Sequence, residues 1–516
     1  MNFALFLEMR ARGAPAALAL ADQRRRFTWG ELDGLANRAA NLLRRKGLAR
    51  GDRLALYLPN RVELVIAMLG AMKAGVIPAP LNWRLQGPDL ARLLAHCAPG
   101  LLVTTVEKAD ALRREHDAAI LTVDDESGAA ENFWSALDGC DERFETIGCQ
   151  GSDVANLLYT SGTTAVPKAV IHTHGMRVAV AAAMADCFKL SSRDTGLAVS
   201  PLFHTSGLSV FANCIFAGCP LILLERWDIA EFLGTIERER VTFMHLIGTI
   251  VVDIARAPES LFGQRDTSSV RFVWGGGHSI DPQTFETYER RIGGVFLQGY
   301  SRTEGGLTYN LLDRARRRFD HNGFPNRNSS EVSIIDPLTQ HTCPPGQIGE
   351  IVVRGDGVSP GYWDGDFVRV RPPYDGGWQP TGDLGSIDGG GALRFLGRCD
   401  HMIKSGGENV YPAEVEAVLL AMPQVADAVV LGLPDPRLGH HVAALVVPGD
   451  VSLSTNDVEQ ACRRVLGGFK IPRTIAFTAA LPRLGTQKVD LQACRVILEQ
   501  SRAGLNKAAG IKSSEP

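Results

Sequence analysis

The sequence predicts an α/β fold with parallel sheets in its larger N-terminal part and a compact α+β unit at its C-terminal end. Over residues 1 to about 320, strand-like apolar runs alternate with helical patterns, which is typical of parallel sheets covered on both faces. Between about 323 and 397, short β-runs separated by Gly and Pro predict a small antiparallel, barrel-like unit. After Arg398, two helical patterns and two strand patterns predict the α+β unit.

The individual elements follow from the spacing of apolar residues along the chain. Helical spacing predicts a helix over Val62–Ala74 and, near the C-terminal end, over residues 412–422 and 456–466. The runs VADAVVLGLPD and HHVAALVVPG predict two strands there. The tail from about Ala503 is polar, and we expect it to fray. Further strands are predicted for RLALYLPN, VIPAPLN, LLVTTV, AILTVD, TGLAVSPL, PLILLER, VTFMHLIG and RFVWGGG.

Composition restricts the class of protein. With 516 residues, of which 45% are hydrophobic, the chain can bury large cores and form several domains. The net charge of -3 provides no field that favours nucleic acid or an anionic membrane. The ten cysteines lie singly and without a CxxC pair, which predicts unpaired thiols in a reducing cytoplasm. The longest apolar stretch, Val210–Leu224, contains Asn, Gly and Pro, so no transmembrane segment is expected.

The run NLLYTSGTTAVPKAVIHTH, residues 156–174, predicts an anion-binding loop. Small hydroxyl residues around Gly162 let backbone N–H groups converge on an anion, and Lys168 adds a point charge. A polyphosphate is the obvious ligand. A Walker A loop is excluded, because Lys168 follows Pro167 and Ala169 stands where Ser or Thr would hold magnesium.

This run resembles the phosphate loop of the adenylate-forming superfamily, which includes acyl-CoA synthetases, stand-alone adenylation domains and luciferases. The superfamily pattern is roughly YTSGTTGxPKGV, and this chain departs from it at Ala165 and Ala169, where Gly is usual. The resemblance implies that the loop binds the departing pyrophosphate of ATP and that Thr163 has a catalytic role and helps to hold Mg²⁺. The implied phosphate-binding residues are Thr160, Ser161, Gly162, Thr163, Thr164 and Lys168.

A second motif, QGYSRTEGG, is similar to the superfamily's YGxTE. The resemblance implies that Tyr300 stacks on adenine, Thr303 bonds phosphate and Glu304 is a catalytic ligand of Mg²⁺. These roles suit a flat aromatic ring and a hard cation that prefers carboxylate oxygens. Ser301 replaces the usual Gly, and GGGHSIDP resembles the superfamily's GGAPLxP. Further nucleotide-binding residues are implied at Gly277, His278, Ser279, Gln298, Gly299 and Ser301.

Two more motifs place the rest of the nucleotide site. Asp383 lies in a run that matches the superfamily's TGD, which implies that its two carboxylate oxygens accept from both ribose hydroxyls, and Arg398 is implied to reach the ribose as well. The segment FLGRCDHMIKSGGENVYPAEVE resembles GRxDxxIxxGGxNxxPxEIE, which places the hinge at Asp400 and the loop for the second half-reaction at 406–409. The implied cofactor-binding residues here are Lys404, Gly406, Gly407 and Glu408.

The last motif, LPRLGTQKVD, is similar to LPRTxxGKxxR and places the catalytic lysine at Lys488, with Gln487 in place of Gly. The resemblance covers about residues 5 to 500. It implies a large N-terminal AMP-binding domain (1–398) with two parallel α/β subdomains and a small β-barrel subdomain. A small mobile α+β C-terminal domain (399–505) and a polar tail (506–516) follow.

The implied function is an ATP-dependent acid–thiol ligase that forms an acyl-AMP, releases pyrophosphate and transfers the acyl group to coenzyme A. The expected ligands are ATP, Mg²⁺, coenzyme A and a small carboxylic acid. Glycines near the implied acyl pocket suggest space for a bulky, apolar acid (aryl, alicyclic or medium-chain) rather than acetate. The implied pocket residues are His204, which is also a catalytic candidate, Gly248, Thr249, Gly275, Gly276 and Gly299.

Several alternatives remain at this point. A carrier-protein phosphopantetheine could accept the acyl group in place of coenzyme A. A split-function enzyme could perform one half-reaction, because the departures Ala165, Ala169, Ser301 and Gln487 all fall in ATP-handling motifs. A non-catalytic nucleotide-binding protein is disfavoured by the retained Lys168, Glu304 and Lys488. A luciferase-like oxygenase shares the fold but has no separate support. The sequence does not distinguish a monomer from a homodimer.

Overall fold

The computed structural model describes residues 1–124, 131–160, 168–263, 265–276, 282–310, 312, 321–326, 328–337, 339–368, 374–449, 452–483 and 489–508. The chain divides into two compact units. The larger unit comprises residues 1–332 and 353–379, and the smaller one comprises 333–352 and 380–516. The predicted domain boundary at residue 398 stays a prediction.

The helices in the described part of the chain are α1 (Leu5–Gly13), α2 (Trp29–Arg45), α3 (Val62–Ala74), α4 (Gly87–Cys97), α5 (Val106–Glu115), α6 (Phe133–Asp138), α7 (His174–Phe188), α8 (Thr205–Ala217), α9 (Ile229–Glu239), α10 (Gly248–Arg256), α11 (Pro282–Ile292), α12 (Pro412–Leu420), α13 (Thr455–Val465) and α14 (Leu491–Ala508).

The strands are β1 (Leu18–Ala21), β2 (Arg26–Thr28), β3 (Arg53–Tyr57), β4 (Ile77–Pro80), β5 (Leu101–Thr104), β6 (Ala119–Thr122), β7 (Glu131–Asn132), β8 (Val154–Thr160), β9 (Lys168–Thr173), β10 (Gly196–Ala198), β11 (Leu221–Leu223), β12 (Phe243–Ile247), β13 (Phe272–Gly276), β14 (Val295–Gln298), β15 (Thr308–Tyr309), β16 (Phe324–Pro325), β17 (Glu331–Ile335), β18 (Gly349–Arg354), β19 (Tyr362–Asp364), β20 (Asp366–Val368), β21 (Gln379–Ile387), β22 (Leu393–Arg398), β23 (Ile403–Ser405), β24 (Glu408–Val410), β25 (Val425–Asp435), β26 (Gly439–Pro448) and β27 (Thr474–Phe477).

The larger unit contains two parallel sheets, as the sequence predicts. One has the strand order β14-β13-β12-β10-β11-β1-β2, and its neighbours pair in parallel except β1 and β2. The other has the order β4-β3-β5-β6-β7 and is parallel throughout. Helices alternate with these strands along the chain, so the prediction of an α/β fold is confirmed.

Helix α3 begins and ends at the residues that its spacing predicts, Val62 and Ala74. Gly75 follows it with a φ of 72°, the left-handed conformation that glycine adopts most readily after a helix. All 13 residues of the helix are buried. This accounts for its nearly continuous apolar sequence, since a helix enclosed by protein has no solvent face to fill with polar residues.

An antiparallel sheet with the order β20-β19-β9-β8 carries the hydroxyl-rich run of the sequence. Strands β8 and β9 pair from Val154 with Thr173 to Thr160 with Lys168, which confirms the predicted strands on both sides of the loop. Strand β19 pairs with the other edge of β9, where Tyr362 is the partner of Val170. Strand β9 is therefore held on both sides.

The β-rich segment and the smaller unit complete the fold. Strands β17, β18, β21 and β22 form a four-stranded sheet in that order, where the sequence predicted a barrel-like unit. In the smaller unit the order is β24-β23-β26-β25, with β27 beside β26. Residues of β25 alternate between two apolar clusters, one with Val430 and the other with Val429 and Leu431. This sheet is therefore covered on both faces.

Three further findings concern the predictions about chain ends, membranes and cysteines. Helix α14 continues to Ala508, so the expectation of a frayed tail from about Ala503 was wrong for this stretch, and residues 509–516 lie beyond the described part. Within the described ranges, no helix has the length and apolar character needed to cross a bilayer. All ten cysteines are unpaired, as predicted.

Candidate active site

Strand pairing holds together the two ends of the predicted phosphate loop. Thr160 ends β8 and Lys168 begins β9, and these two residues are register partners. Lys168 Nζ lies 5.9 Å from the centre of the Tyr362 ring on the neighbouring strand. The roles implied for Ser161, Gly162, Thr163 and Thr164 stay predictions, because these residues lie outside the described part of the chain.

The predicted magnesium ligand, Glu304, lies beside the same tyrosine. The Tyr362 hydroxyl donates a hydrogen bond to Glu304 Oε1, and Arg302 Nη2 is 3.5 Å from Glu304 Oε2. The Glu304 side chain is 21% exposed, so its carboxylate remains accessible from solvent. Lys168 and Glu304 both lie against Tyr362, so the structure brings together one residue from each predicted phosphate motif.

The residues present fit a magnesium ion held jointly with phosphate oxygens. Magnesium usually keeps several waters and takes one or two carboxylates together with substrate phosphates. Among the described residues, no three His, Cys, Asp or Glu side chains cluster as a metal site would require. A single, partly exposed carboxylate at Glu304 agrees with a metal that arrives with its nucleotide rather than one held permanently by the protein.

The predicted adenine-binding residues lie in a tightly packed turn after β14. Gly299 N–H donates to the Gly275 carbonyl at 3.2 Å, and Tyr300 N–H donates to Thr308 Oγ1 at 2.9 Å. Tyr300 is only 6% exposed. Gln298, the last residue of β14, is the register partner of Gly275. Gly277, His278 and Ser279 fall in a part of the chain that the structure does not describe.

Two of the four departures from the superfamily pattern occupy ordinary backbone. Neither Ala169 nor Ser301 has a positive φ, so neither position needs glycine for its backbone conformation. Ala169 is fully buried within β9, where it pairs with Tyr159 and Trp363. These two substitutions therefore give no conformational reason to expect impaired adenylation. Ala165 and Gln487 lie in undescribed segments.

His204 precedes helix α8 and caps it. Its backbone is extended, with φ -117° and ψ 148°, and its Nδ1 accepts the Ser206 N–H at 3.3 Å. His204 is an exposed residue, so its imidazole is accessible to a ligand. Thr205, the first residue of α8, donates its hydroxyl to Thr303 Oγ1 at 3.2 Å. The predicted acid-binding and phosphate-binding residues thus approach each other at the start of this helix.

A histidine and a tryptophan that the sequence analysis did not single out lie beside α8. His245 on β12 and Trp274 on β13 are register partners, and their ring centres are 4.1 Å apart. Ser209 Oγ of α8 is 3.0 Å from His245 Nδ1. Burial lowers the pKa of His245 to about 3, so its ring is neutral near neutral pH. Both residues stand two positions before a strand end, a signal that could have identified them.

Gly275 and Gly299 do not leave space for an acid, so this part of the pocket prediction was wrong. A Cβ on Gly275 would lie 2.4 Å from Phe296 Cζ, and one on Gly299 would lie 2.5 Å from Trp274 Nε1. The aromatic rings already fill the volume that the missing side chains leave, so these glycines serve close packing. Gly248 begins α10 and Gly276 ends β13, and the Thr249 side chain is among those not described.

In the smaller unit, the two residues implied to bind ribose contact each other. Asp383 and Arg398 are register partners on β21 and β22, and Arg398 Nη1 donates to Asp383 Oδ1 at 3.0 Å. Gly382 has a φ of 74°, and its N–H donates to Glu350 Oε1 at 2.8 Å. Asp383 is 5% exposed. The two strands therefore hold a carboxylate and a guanidinium side by side, and their binding of ribose stays a prediction.

The segment predicted to serve the second half-reaction is a tight β-hairpin. Ser405 and Glu408 are register partners, as are Lys404 and Asn409 on either side of them. The two central residues, Gly406 and Gly407, have φ values of 61° and 91°, which is the type I′ pattern that favours glycine. The hinge residue predicted from the motif, Asp400, lies on a 3-10 turn, Cys399–His401. Lys488 lies outside the described residues.

Comparisons with known proteins cover nearly the whole chain. The family model described as AMP-binding enzyme matches residues 7–363, and the AMP-binding enzyme C-terminal domain matches residues 414–488. The chain is 33% identical over 500 residues to the long-chain-fatty-acid–CoA ligase FadD13 of Mycobacterium tuberculosis, covering 95% of this chain and 97% of the relative. It is 34% identical to a feruloyl-CoA synthase of an Amycolatopsis species, covering 93% and 96%.

Solved structures agree with these relatives. The ATP-bound MatB of Rhodopseudomonas palustris has a TM-score of 0.86 and 28% identity, covering 96% of this chain and 99% of that one. The o-succinylbenzoate CoA synthetase MenE of Bacillus subtilis, in complex with its acyl-adenylate, has a TM-score of 0.80 and 30% identity, covering 94% and 96%. The superfamily resemblance carried by the motifs is thereby confirmed, and this chain belongs to the AMP-binding enzyme family.

Proposed function

We propose that this AMP-forming acid–CoA ligase activates a bulky, apolar carboxylic acid in preference to acetate. The observation that carries the proposal is the aromatic wall formed by His245 and Trp274 beside the His204 end of α8. The two rings lie at 34° to each other, and an aromatic surface of this kind favours a flat apolar group over a methyl group. Relatives named for long-chain fatty, feruloyl, 2-succinylbenzoate and indoleacetate substrates support the same size class.

The surroundings of this wall are apolar and include flexible side chains. A cavity with about 10 Å³ available to the centre of a water molecule lies behind it, lined largely by apolar residues that include Met184, Phe243 and Met244. Methionine side chains are flexible, so they can repack around a larger group.

The first half-reaction uses ATP. The acid's carboxylate attacks the α-phosphorus, the bond to pyrophosphate breaks, and acyl-AMP forms. Lys168 and the preceding loop would bind the departing pyrophosphate, Asp383 and Arg398 would orient the ribose, and Lys488 would bridge the carboxylate and α-phosphate. Mg²⁺, held by Glu304 and phosphate oxygens, would supply neutralising positive charge. Most of the rate would therefore come from positioning and fixed charge.

The second half-reaction uses the thiol of coenzyme A. The thiolate attacks the acyl carbon of acyl-AMP, a thioester forms and AMP departs. We assign the hairpin at residues 406–409 to this step and Asp400 to the hinge that exchanges it with Lys488.

The regular backbone at Ala169 and Ser301 favours a complete two-step ligase over a split-function enzyme. The ten unpaired cysteines support the predicted reducing, cytoplasmic setting.

The test is an acid panel with ATP, Mg²⁺ and coenzyme A, in which pyrophosphate and acyl-CoA are measured separately. Acetate, decanoate, benzoate, a methoxylated cinnamate and a polycyclic acid would be compared. We expect kcat/KM for the best bulky acid to exceed that for acetate by at least about tenfold, since one methylene alone is worth about 10- to 200-fold in an apolar pocket. A Trp274→Phe variant should lower the preference for ring-bearing acids. Acetate as the best substrate would contradict the proposal.

A further inference from the structure

Residues outside the superfamily pattern form a buried polar relay that holds the peptide carrying Glu304. His172, in strand β9, places Nε2 2.8 Å from the Thr303 carbonyl, although these residues are 131 positions apart in sequence. The His172 residue is 1% exposed. The hydrogen bond thus fixes the carbonyl immediately before the predicted magnesium ligand from a strand that begins at Lys168.

The partners of His172 determine which of its nitrogens carries the proton. Arg177 Nη2 donates to His172 Nδ1, and Arg177 Nε donates to Asn156 Oδ1 at 2.9 Å. Asn156 Nδ2 is also 3.4 Å from His172 Nδ1. Since a guanidinium can only donate, Nδ1 must be the acceptor and the proton must lie on Nε2. The ring therefore donates to Thr303 and accepts from Arg177 at the same time.

Burial keeps this relay in one protonation state. Burial lowers the pKa of His172 well below its usual value, and the neighbouring Arg177 charge lowers it further. Burial also lowers the pKa of Arg177 to about 9, so the guanidinium stays charged near neutral pH. A protonated His172 would direct a second N–H at that guanidinium. The relay therefore has a single arrangement of donors and acceptors across the working pH range.

Strand β9 also fixes the other side of Glu304. Ser359 N–H donates to the Glu304 carbonyl at 2.8 Å, and Ser359 Oγ donates to the Ile171 carbonyl at 2.7 Å. Tyr362, which donates to the Glu304 carboxylate, is the register partner of Val170. The Thr303 carbonyl, the Glu304 carbonyl and the Glu304 side chain are therefore all connected to strand β9. The connections run directly to His172, through Ser359 to Ile171, and through Tyr362 to the position of Val170.

We propose that His172, held by Arg177 and Asn156, is a positioning residue that sets Glu304 for the ATP-dependent half-reaction. The proposal rests on the proposed function, because it assigns Glu304 to magnesium and phosphate binding. A carbonyl released from His172 would let the Thr303–Glu304 peptide rotate, and a displacement of about 1 Å near the reacting atoms can cost about a hundredfold in rate.

The experiment compares His172→Leu with His172→Gln in the full-length protein. Leucine removes the donor at similar size, whereas the Gln amide nitrogen can reach the position of His Nε2 and still donate. We expect His172→Leu to raise the Mg²⁺ concentration for half-maximal pyrophosphate release and to lower kcat/KM about 10- to 100-fold. Thioester formation from supplied acyl-AMP should change less than about twofold, and His172→Gln should recover most of the loss.

His174→Leu provides the matched control. His174 is also buried, but its Nδ1 accepts the Phe3 N–H at 3.0 Å. A similar loss of thermal stability is expected, without a change in Mg²⁺ dependence. An unchanged Mg²⁺ dependence in His172→Leu, or an equal loss of both half-reactions, would overturn the proposal. A wild-type protein that activates no acid but converts supplied acyl-AMP would instead contradict the proposed function.

Discussion

The loop that carries Glu304 and the hairpin at residues 406–409 are built in opposite ways. In the first, the buried His172 side chain holds the carbonyl before Glu304, and the partly buried Tyr362 holds the carboxylate itself. In the second, the turn follows from positive φ angles at Gly406 and Gly407, and open space surrounds Gly407. Substitutions that remove a side-chain contact should therefore disturb the Glu304 loop. Substitutions that restrict the backbone should disturb the hairpin at residues 406–409. This difference agrees with the roles proposed above, in which Glu304 is a fixed ligand of the metal and the hairpin serves a later step.

The largest effect is expected from Glu304→Gln. The amide keeps the size of the side chain but removes the negative charge that a hard cation requires. We expect pyrophosphate release to fall about 100-fold or more, by analogy with loss of one charge-stabilising group in other enzymes. Acyl-CoA formation from supplied acyl-AMP should persist. The measurement is the rate of each half-reaction across a magnesium titration, and equal losses in both would contradict the assigned role.

An intermediate effect is expected from Gly407→Ala. Apart from its chain neighbours, no atom of the described residues lies within 4 Å of the added Cβ, so the cost comes from the φ of 91°. Forcing an L-residue into this region costs roughly 1–2 kcal/mol. We expect the thiol-dependent step to slow about tenfold, while pyrophosphate release is retained.

Gly391→Ala is the control for this hairpin variant. Gly391 has a φ of 84° and equally open surroundings, and it lies in another exposed turn of the smaller unit. It should show the same strain without the kinetic change. If both variants slow the thiol-dependent step equally, the slowing is caused by lower stability of the smaller unit, and the assignment of the hairpin to this step is contradicted.

The smallest effect is expected from Glu416→Gln in α12, a partly buried side chain of the smaller unit that should affect stability rather than catalysis. Burial raises the pKa of Glu416 from 4.5 to about 7, and its carboxylate accepts the Val430 N–H at 2.8 Å. The folded state then binds the proton more tightly than the unfolded state does. The contribution of this group to the free energy of unfolding therefore falls as pH rises from 4.5 to about 7.

Glutamine keeps a hydrogen-bond acceptor but has no charge to bury. Above pH 7 the variant should melt about 2–4 °C higher than the wild type, and below pH 4.5 the difference should vanish. Thermal melts across this range provide the measurement, with both half-reaction rates at pH 7 expected to stay within about twofold. If the melting temperature of the wild type instead rises relative to that of the variant as pH increases from 4.5 to 7, the prediction is contradicted.

Motif spacing predicted which residues of the two units are candidate site residues, but it did not predict the contacts that position them. The pairing of Asp383 with Arg398 was accessible because both belong to recognised motifs and face each other across adjacent strands. The relay from Arg177 through His172 to Thr303 joins positions that no local pattern connects. Gly275 was misread because a sequence does not show that Phe296, from the next strand, fills the space beside it.

Helix α7 connects strand β9 to the cavity behind the aromatic wall. The strand passes directly into the helix, whose first half carries Arg177 and whose second half places Met184 and Phe188 along the cavity behind the aromatic wall. If the acid of the proposed function pressed on these side chains, a shift of the helix would be passed through Arg177 to the peptide that bears Glu304. Acid and Mg·ATP would then bind cooperatively, and linkage requires each to alter the other's affinity by the same factor.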